Sequence, residues 1–487
     1  PAQGYLTYGS LDVASGALAA RAQADQGGDV LRQFQDASEA VQRLRRAYLA
    51  AYEPTSTVNE VGRERILQDV RAAQDAFAEV SARLERDFPA LAEIELPRAL
   101  SAEEAQELLE PGEGLIAYAS TDEHLYAWLI TQDRVEWFRF HLTAEDLAYR
   151  VTRLREGLDP YAGSTSSIAD ECALTDEFGL NFDICAAQEL HDLVLGQIDL
   201  DGIDELLVVP DGALETIPFS VLVTDIEADG TPQWLIERHA ITTLPATSSL
   251  RALRLYSTTE ELEVDSRRPF LGFAPVTFDG VTEDSPLRGA SIPDLPGTDD
   301  EVQLLSAFLG AGEEGVVLED AATEHFVRTV DLDQYRVLSF ATHGFLTRET
   351  SEYTDGAVNE MALALRPGQG EDGLLTSSEA ATLRLNADWV LLSACNTAAG
   401  EGGDDAEGLS GLARAFFYAG AETLLVSHWP IDDEATPTLL TDVMLRSQSD
   451  DISRAQSLRQ AQLAMLSQPQ YAHPFYWAPF SVVGDNR

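Results

Sequence analysis

The chain has 487 residues, enough for about three domains at roughly 150 residues each, and 45% are hydrophobic, which excludes wholesale disorder. Its 83 Asp and Glu against 32 cations leave a formal charge of −51, and every cation is Arg. The absence of lysine excludes a lysine Schiff base, a pyridoxal phosphate attachment and a G-x-x-x-x-G-K-[ST] phosphate loop, and the negative field argues against binding to nucleic acid or an anionic membrane surface.

Over residues 31–52 the apolar positions Leu31, Phe34, Val41, Leu44 and Tyr48 fall at helical spacing. After a breaker at 53–57, the residues Ile66, Val70, Ala73, Phe77, Val80 and Leu84 alternate steps of four and three, the seam of a helix that packs on another helix. Together they predict a helical hairpin within residues 1–100. It reads as packing support for the rest of the chain or as the tail of a helical repeat array. The sequence opens on Pro1 without a charged and apolar leader, which leads us to expect a processed chain or a fragment. Localisation is thereby left open, with a cytoplasmic site favoured over a secreted or periplasmic one. No apolar run approaches the roughly 20 residues of a membrane span, so no membrane partner is expected.

The texture changes after Pro97. Residues 114–120, 125–131 and 135–142 are short, β-branched and aromatic-rich, predicting a meander, and 144–158 a helix. The Gly-, Ser- and acid-rich stretch 159–183 reads as a surface loop. The continuously apolar Leu206-Leu207-Val208-Val209, stopped by Pro210-Asp211-Gly212, fits a parallel strand covered on both faces. From residue 266 strands and helices alternate: strands at 270–273, 315–318, 336–341, 389–394 and 423–427, and helices at 298–309, 322–330, 377–383, 408–419, 436–445 and 452–466. This predicts an α/β fold, a mostly parallel sheet with helices on both faces, whose chemistry sits at the carboxyl ends of the strands.

Two strand ends carry chemistry. The run 337–342 leads into His343-Gly344, and 390–394 leads into Cys395. As central strands, both would deliver their reactive residue to one edge. An imidazole beside a thiol can take its proton, and a thiolate attacks carbonyl carbon. Glycine after the histidine allows close approach of a backbone N–H, which with the Cys395 N–H would form an oxyanion hole. The 52-residue interval leaves room for one crossover and matches the His-to-Cys spacing of caspases.

With three cysteines this is no disulfide scaffold, although Cys172 and Cys185 are close enough in sequence to pair in an oxidising compartment. No His-Glu-x-x-His run or second cysteine pair indicates zinc, and Gly408-Leu-Ser-Gly-Leu412 misses the serine-hydrolase elbow at its last position. The acids between Gly400 and Gly408 lack calcium-loop spacing and read as a solvated loop. His428 and His473, each in an aromatic stretch, read as structural. No cofactor or metal is expected.

The segments Ser339-Phe-Ala-Thr-His-Gly-Phe345 and Leu391-Leu-Ser-Ala-Cys-Asn-Thr397 resemble the CHAT family of caspase-like cysteine peptidases. So do Val209–Leu214, Ile217–Phe219, Leu295-Pro-Gly-Thr298, Gly411–Phe416, Val426–Trp429, Asp432–Ala435 and His473–Phe480. The resemblance implies a caspase-like fold that cleaves a protein or peptide substrate with Cys395 as nucleophile and His343 as base. Gly344 and Cys395 would supply the oxyanion-hole amides, and no third side chain is required. It further implies that residues 101–265 contain a degenerate caspase-like half supporting the catalytic region 266–487. Asp432 or Asp433, beyond the strand at 423–427, could line a pocket for Arg or Lys before the cut. The polar stretch 347–373 reads as a long loop that gates the site or is cut on activation. The rival reading is a CHAT-fold scaffold with an unused dyad.

Overall fold

The computed structural model describes residues 44, 60–87, 100–159, 168–176, 178–256, 266–278, 292–354, 356–358, 360–394, 411–432, 434–449, 452–484 and 486. The first predicted helix, 31–52, lies outside the described residues apart from Leu44. The chain divides into two compact units, 12–98 and a larger one holding everything described from residue 100 onward. The smaller unit contains α1 (Glu60–Asp87), which carries the expected seam, with Val70 buried. Among the described residues, no helix is long and apolar enough to cross a membrane.

In the larger unit the meander is β1 (Glu113–Ser120), β2 (Leu125–Ile130) and β3 (Val135–Phe140), followed by α2 (Ala144–Glu156), α3 (Ile184–Val194), β4 (Glu205–Val209) and β5 (Ala240–Thr243). Then come β6 (Arg268–Ala274), α4 (Thr298–Leu309), β7 (Val316–Leu318), α5 (Glu324–Thr329) and β8 (Tyr335–Ala341). The chain continues through β9 (Gly344–Phe345), β10 (Ala362–Ala364), β11 (Leu374–Thr376), β12 (Ala387–Ser393), α6 (Gly411–Ala419) and β13 (Ala421–Ser427). It closes with α7 (Ala435–Arg446), α8 (Arg454–Leu466) and β14 (Phe480–Gly484).

Among the described residues, eleven strands form one sheet in the order β7-β6-β8-β12-β13-β14-β5-β4-β1-β2-β3. Seven of its ten neighbour pairings are parallel, so the fold is the α/β class expected. The central strands are mostly apolar because both faces are covered; β8 and β12 each bury six of seven residues. Successive side chains on a strand point to opposite faces. On one face Val337, Leu391 and Leu425 join a core with Leu305 of α4, Leu440 of α7 and Leu458 of α8. On the other face Phe340 meets Phe416 of α6, ring centres 5.1 Å apart. Helices therefore cover both sides.

The sheet is continuous across the regions 101–265 and 266–487. Strand β14 makes the join, antiparallel to β13 and parallel to β5. Beyond it Asn486 donates to Glu113 (3.0 Å) and Glu205 (2.8 Å), and Arg254 pairs with the same Glu113 (2.5 Å), a buried polar knot on β1 and β4.

Two loop expectations are corrected. The described part of 159–183 contains a hairpin, Ala173–Thr175 with Asn181–Asp183, pinned by a Cys172–Cys185 disulfide to the first turn of α3. The stretch 347–373 is also built. It holds a helix, Thr347–Tyr353, and its backbone supplies β10, the middle strand of the small antiparallel sheet β9-β10-β11. Strands this short show too few alternations for a period to be read from sequence.

Candidate active site

Strands β8 and β12 are adjacent and parallel, in a register that pairs Val337 with Trp389 and Ala341 with Ser393. His343 is two residues beyond Ala341, and in sequence Cys395 is two beyond Ser393. The described part of this segment ends at Ala394; Cys395 and the neighbouring candidate Asp433 lie outside the described residues.

His343 sits where the chain leaves the large sheet for the small one. The Thr342 hydroxyl donates to the Ala364 carbonyl, and the Ala364 amide donates to the His343 carbonyl at 2.9 Å. Gly344 then opens β9, in register with Leu363. A satellite core of Phe278, Phe345, Ala362, Ala364 and Leu374 supports this corner. The imidazole stacks on Phe345 (6.0 Å, planes 6° apart) and leans on Phe278 (5.1 Å).

One ring nitrogen is fixed by the backbone: His343 Nε2 lies 2.7 Å from the Pro293 carbonyl oxygen. A carbonyl only accepts, so Nε2 carries the hydrogen, and in the neutral ring Nδ1 holds the lone pair. Pro293 is itself held, since the Leu295 amide donates to Val276 (2.9 Å) and the Phe278 amide donates to Asp294 (3.3 Å). Burial pushes the His343 pKa below its usual 6.5, only partly opposed by the Pro293 bond and by Asp294. The ring is therefore neutral at pH 7.

The end of β12 is tied from both sides. Ser393 Oγ donates to Glu301 of α4 (3.0 Å), and Ser427 Oγ, at the end of β13, donates to the Ala394 carbonyl. Between these ties lies a cavity of about 40 Å³. Its deepest lining, each residue at most 5% exposed, includes Glu301, Thr298, Thr342, Ser393 and Thr436. Half-buried Leu295, Ile431 and Asp432 stand at its mouth. Asp432 also caps α7, its Oδ1 accepting from the amides of Glu434 (3.1 Å) and Ala435 (2.8 Å).

The other histidines differ from His343. His428, directly after β13, is buried with Nε2 2.9 Å from Ser481 Oγ, and burial drives its pKa down to about 3. His473 accepts the Phe475 amide (3.2 Å), and burial lowers its pKa to about 4. Two clusters among the described residues have metal-ligand chemistry. In one, Cys172 and Cys185 are joined as a disulfide beside Asp183. In the other, Glu324, Glu371 and Glu379 surround Arg328 Nη1 at 3.2, 3.0 and 3.1 Å, so a guanidinium fills the centre. The acidic stretch 400–408 lies outside the described residues.

Two groups at the site escaped the sequence reading. The Pro293 carbonyl is backbone and leaves no side-chain signature. Glu301 is the third of three consecutive acids opening α4, indistinguishable by type from its neighbours Asp299 and Asp300.

The chain belongs to the CHAT domain family, whose model matches residues 185–485. Among curated proteins it is similar to tetratricopeptide repeat protein 28 of Mus musculus, 25% identical over 311 residues, 58% of this chain and 12% of that protein. The Homo sapiens protein of that name is 24% identical over 316 residues, with the same shares. The chain thus spans 12% of the length of the curated relatives it matches. Among solved structures it is similar to the Saccharomyces cerevisiae separase–securin complex, at 10% identity and a TM-score of 0.49 over 88% of this chain and 34% of that one.

Proposed function

We propose that the protein is a cysteine endopeptidase acting through Cys395 and His343. The observation that carries this reading is the His343 Nε2–Pro293 bond at the end of β8, which leaves Nδ1 basic on the edge where β12 leads to Cys395. In this mechanism Nδ1 takes the Cys395 thiol proton, and the thiolate adds to the scissile carbonyl carbon, forming a C–S bond. The amides of Gly344 and Cys395 would receive the oxyanion, each such donor typically worth about 3–4 kcal/mol. The intermediate collapses as the C–N bond breaks and the imidazolium returns its proton to the leaving amine. Water, deprotonated by the same ring, then hydrolyses the thioester. The Pro293 carbonyl orients the ring as a third side chain does elsewhere, fixing its tautomer and angle.

In the same reading, residues 101–265 are a degenerate half whose strands buttress the catalytic half 266–487, and the helical region 1–100 receives a regulatory protein. The test is a mixed-peptide cleavage screen comparing the intact chain with Cys395→Ala. Cuts lost in the variant support the peptidase. Their absence, together with iodoacetamide labelling of Cys395 no faster than in unfolded chain, returns the protein to the scaffold reading.

A further inference from the structure

We propose that a cavity at the amino ends of β8 and β12 is a binding site for a small carboxylate with an apolar body. It measures about 520 Å³, within the roughly 300–1,000 Å³ of small-molecule pockets. Val337 and Trp389, paired across β8 and β12, form one wall. Leu309 at the end of α4, Met444 near the end of α7 and Arg454 at the start of α8 form the others. The candidate active site lies at the opposite end of the same strands. Val337 to Ala341 alone spans about 13 Å at roughly 3.3 Å per residue. Occupancy of this cavity therefore does not depend on whether the chain is a peptidase.

The observation that carries the assignment is Trp389. It is 4% exposed, yet its indole N–H donates no hydrogen bond among the described residues. Buried Trp429 and Trp477 behave otherwise, donating to the carbonyls of Phe475 (3.1 Å) and Ala472 (3.3 Å). A buried indole normally finds an acceptor, so one left over in a cavity wall calls for an acceptor that arrives with a ligand. The ring is already held in place. Arg454 lies over its face, 5.6 Å from the ring centre, and is itself bonded to Glu422 (3.1 Å) and the Thr423 hydroxyl. A donor fixed beforehand costs little entropy to use.

Charge and polarity choose the class of ligand. The described lining holds two guanidiniums, Arg336 and Arg454, and one carboxylate, Asp388. Asp388 is shared between Arg267 (2.8 Å) and Arg336 (2.9 Å). With Arg267 and Glu422 included, three cations face two acids among the described residues, a local positive surplus in a chain of net charge −51. An anionic group is drawn to such a spot and a cationic one repelled. Val337, Leu309, Met444 and Ile452 present hydrocarbon to the remainder of the molecule. Apolar walls with a few convergent polar groups are what fix a small ligand's orientation.

The experiment titrates the whole chain with naphthoate and with its neutral amide, naphthamide, read by equilibrium dialysis. Naphthoate should bind saturably and roughly tenfold more tightly than naphthamide, because its acceptor is charged. Trp389→Phe keeps an aromatic ring and removes the N–H, and should weaken naphthoate about five- to tenfold. Arg336→Gln, a change at a half-exposed side chain that leaves Asp388 its bond to Arg267, should shrink the acid-to-amide ratio about threefold or more. Should Trp389→Phe fail to fold, the ratio in Arg336→Gln decides alone. Cys395→Ala should bind naphthoate as the wild type does; loss of binding there would put the ligand at the other edge of the sheet and overturn the assignment. Absence of saturable binding, equal affinity for acid and amide, or unchanged affinity in a folded Trp389→Phe overturns it as well.

Discussion

Strands β8 and β12 on one side of β14, and β4 and β5 on the other, are both buried parallel neighbours. Their carboxyl ends are furnished differently. Beyond β4, Asp211 accepts the Ser120 amide at 2.5 Å, and Arg155 of α2 reaches into the corner to bond the carbonyls of Thr216 and His428. Polar groups there are consumed in holding backbone. Beyond β8, one nitrogen of His343 is bonded in the same manner to the Pro293 carbonyl, and in the proposed mechanism the other takes the thiol proton. His343 and His428 repeat the contrast one residue at a time: both follow strands of one sheet, yet His428 is buried and pushed to about 3, while His343 is half-buried. Position on the carboxyl edge is thus not enough for function. A group must be oriented by one bond and left with another to give.

The largest expected effect separates the two histidines. His343→Ala should lower kcat/KM about 10²- to 10⁴-fold, the usual worth of general acid–base catalysis, with folding intact by circular dichroism. The wild-type acid limb should have its midpoint below 6.5, since burial disfavours the protonated ring. A midpoint above 6.5 would break the assignment of His343 as the neutral base.

The scaffold side should fail in stability and not in chemistry. Arg254→Ala leaves Glu113 buried without this partner and should cost about 3–5 kcal/mol in urea unfolding. At a temperature where the variant stays folded, its kcat/KM should remain within about threefold of wild type. Phe345→Ala, which removes the ring stacked on His343, should act on both axes: about 3 kcal/mol of stability and roughly 10- to 100-fold in kcat/KM.

The smallest effect concerns pH. His473 is neutral in the fold down to about pH 4, whereas an unfolded histidine protonates near 6.5. The unfolded state therefore binds more protons between those values, and this group's contribution is lost as pH falls through the window. Its slope is about 1.4 kcal/mol per pH unit at most. His473→Asn keeps an acceptor for the Phe475 amide but does not titrate, so its urea midpoint should fall less steeply from pH 6.5 to 4.5. Parallel profiles would show that His473 protonates without resistance from the fold.

The features legible in sequence were those written locally. Largely apolar runs announced β4, β8 and β12, and the helix expected at 298–309 is α4. The position of His343 beyond the carboxyl end of β8 followed from the strand end alone, while Cys395 lies outside the described residues. The hidden features were non-local. β14 reads as the tail of an aromatic motif, and nothing within Phe480–Gly484 says that its partners are residues 240–243 and 421–427. The Pro293 carbonyl is chosen by the fold from hundreds of equivalent carbonyls. Glu301 was one acid among 83 until burial singled it out. Asp432 was noticed in sequence, yet its capping of α7 appears only with coordinates.

The seam strand is the last of the eleven to leave the ribosome. Until residues 480–484 are released, β13 and β5 both present bare hydrogen-bonding borders, which invite pairing with other chains. Translation arrest upstream of Phe480 would therefore leave two half-sheets, each with an unpaired border open to other chains.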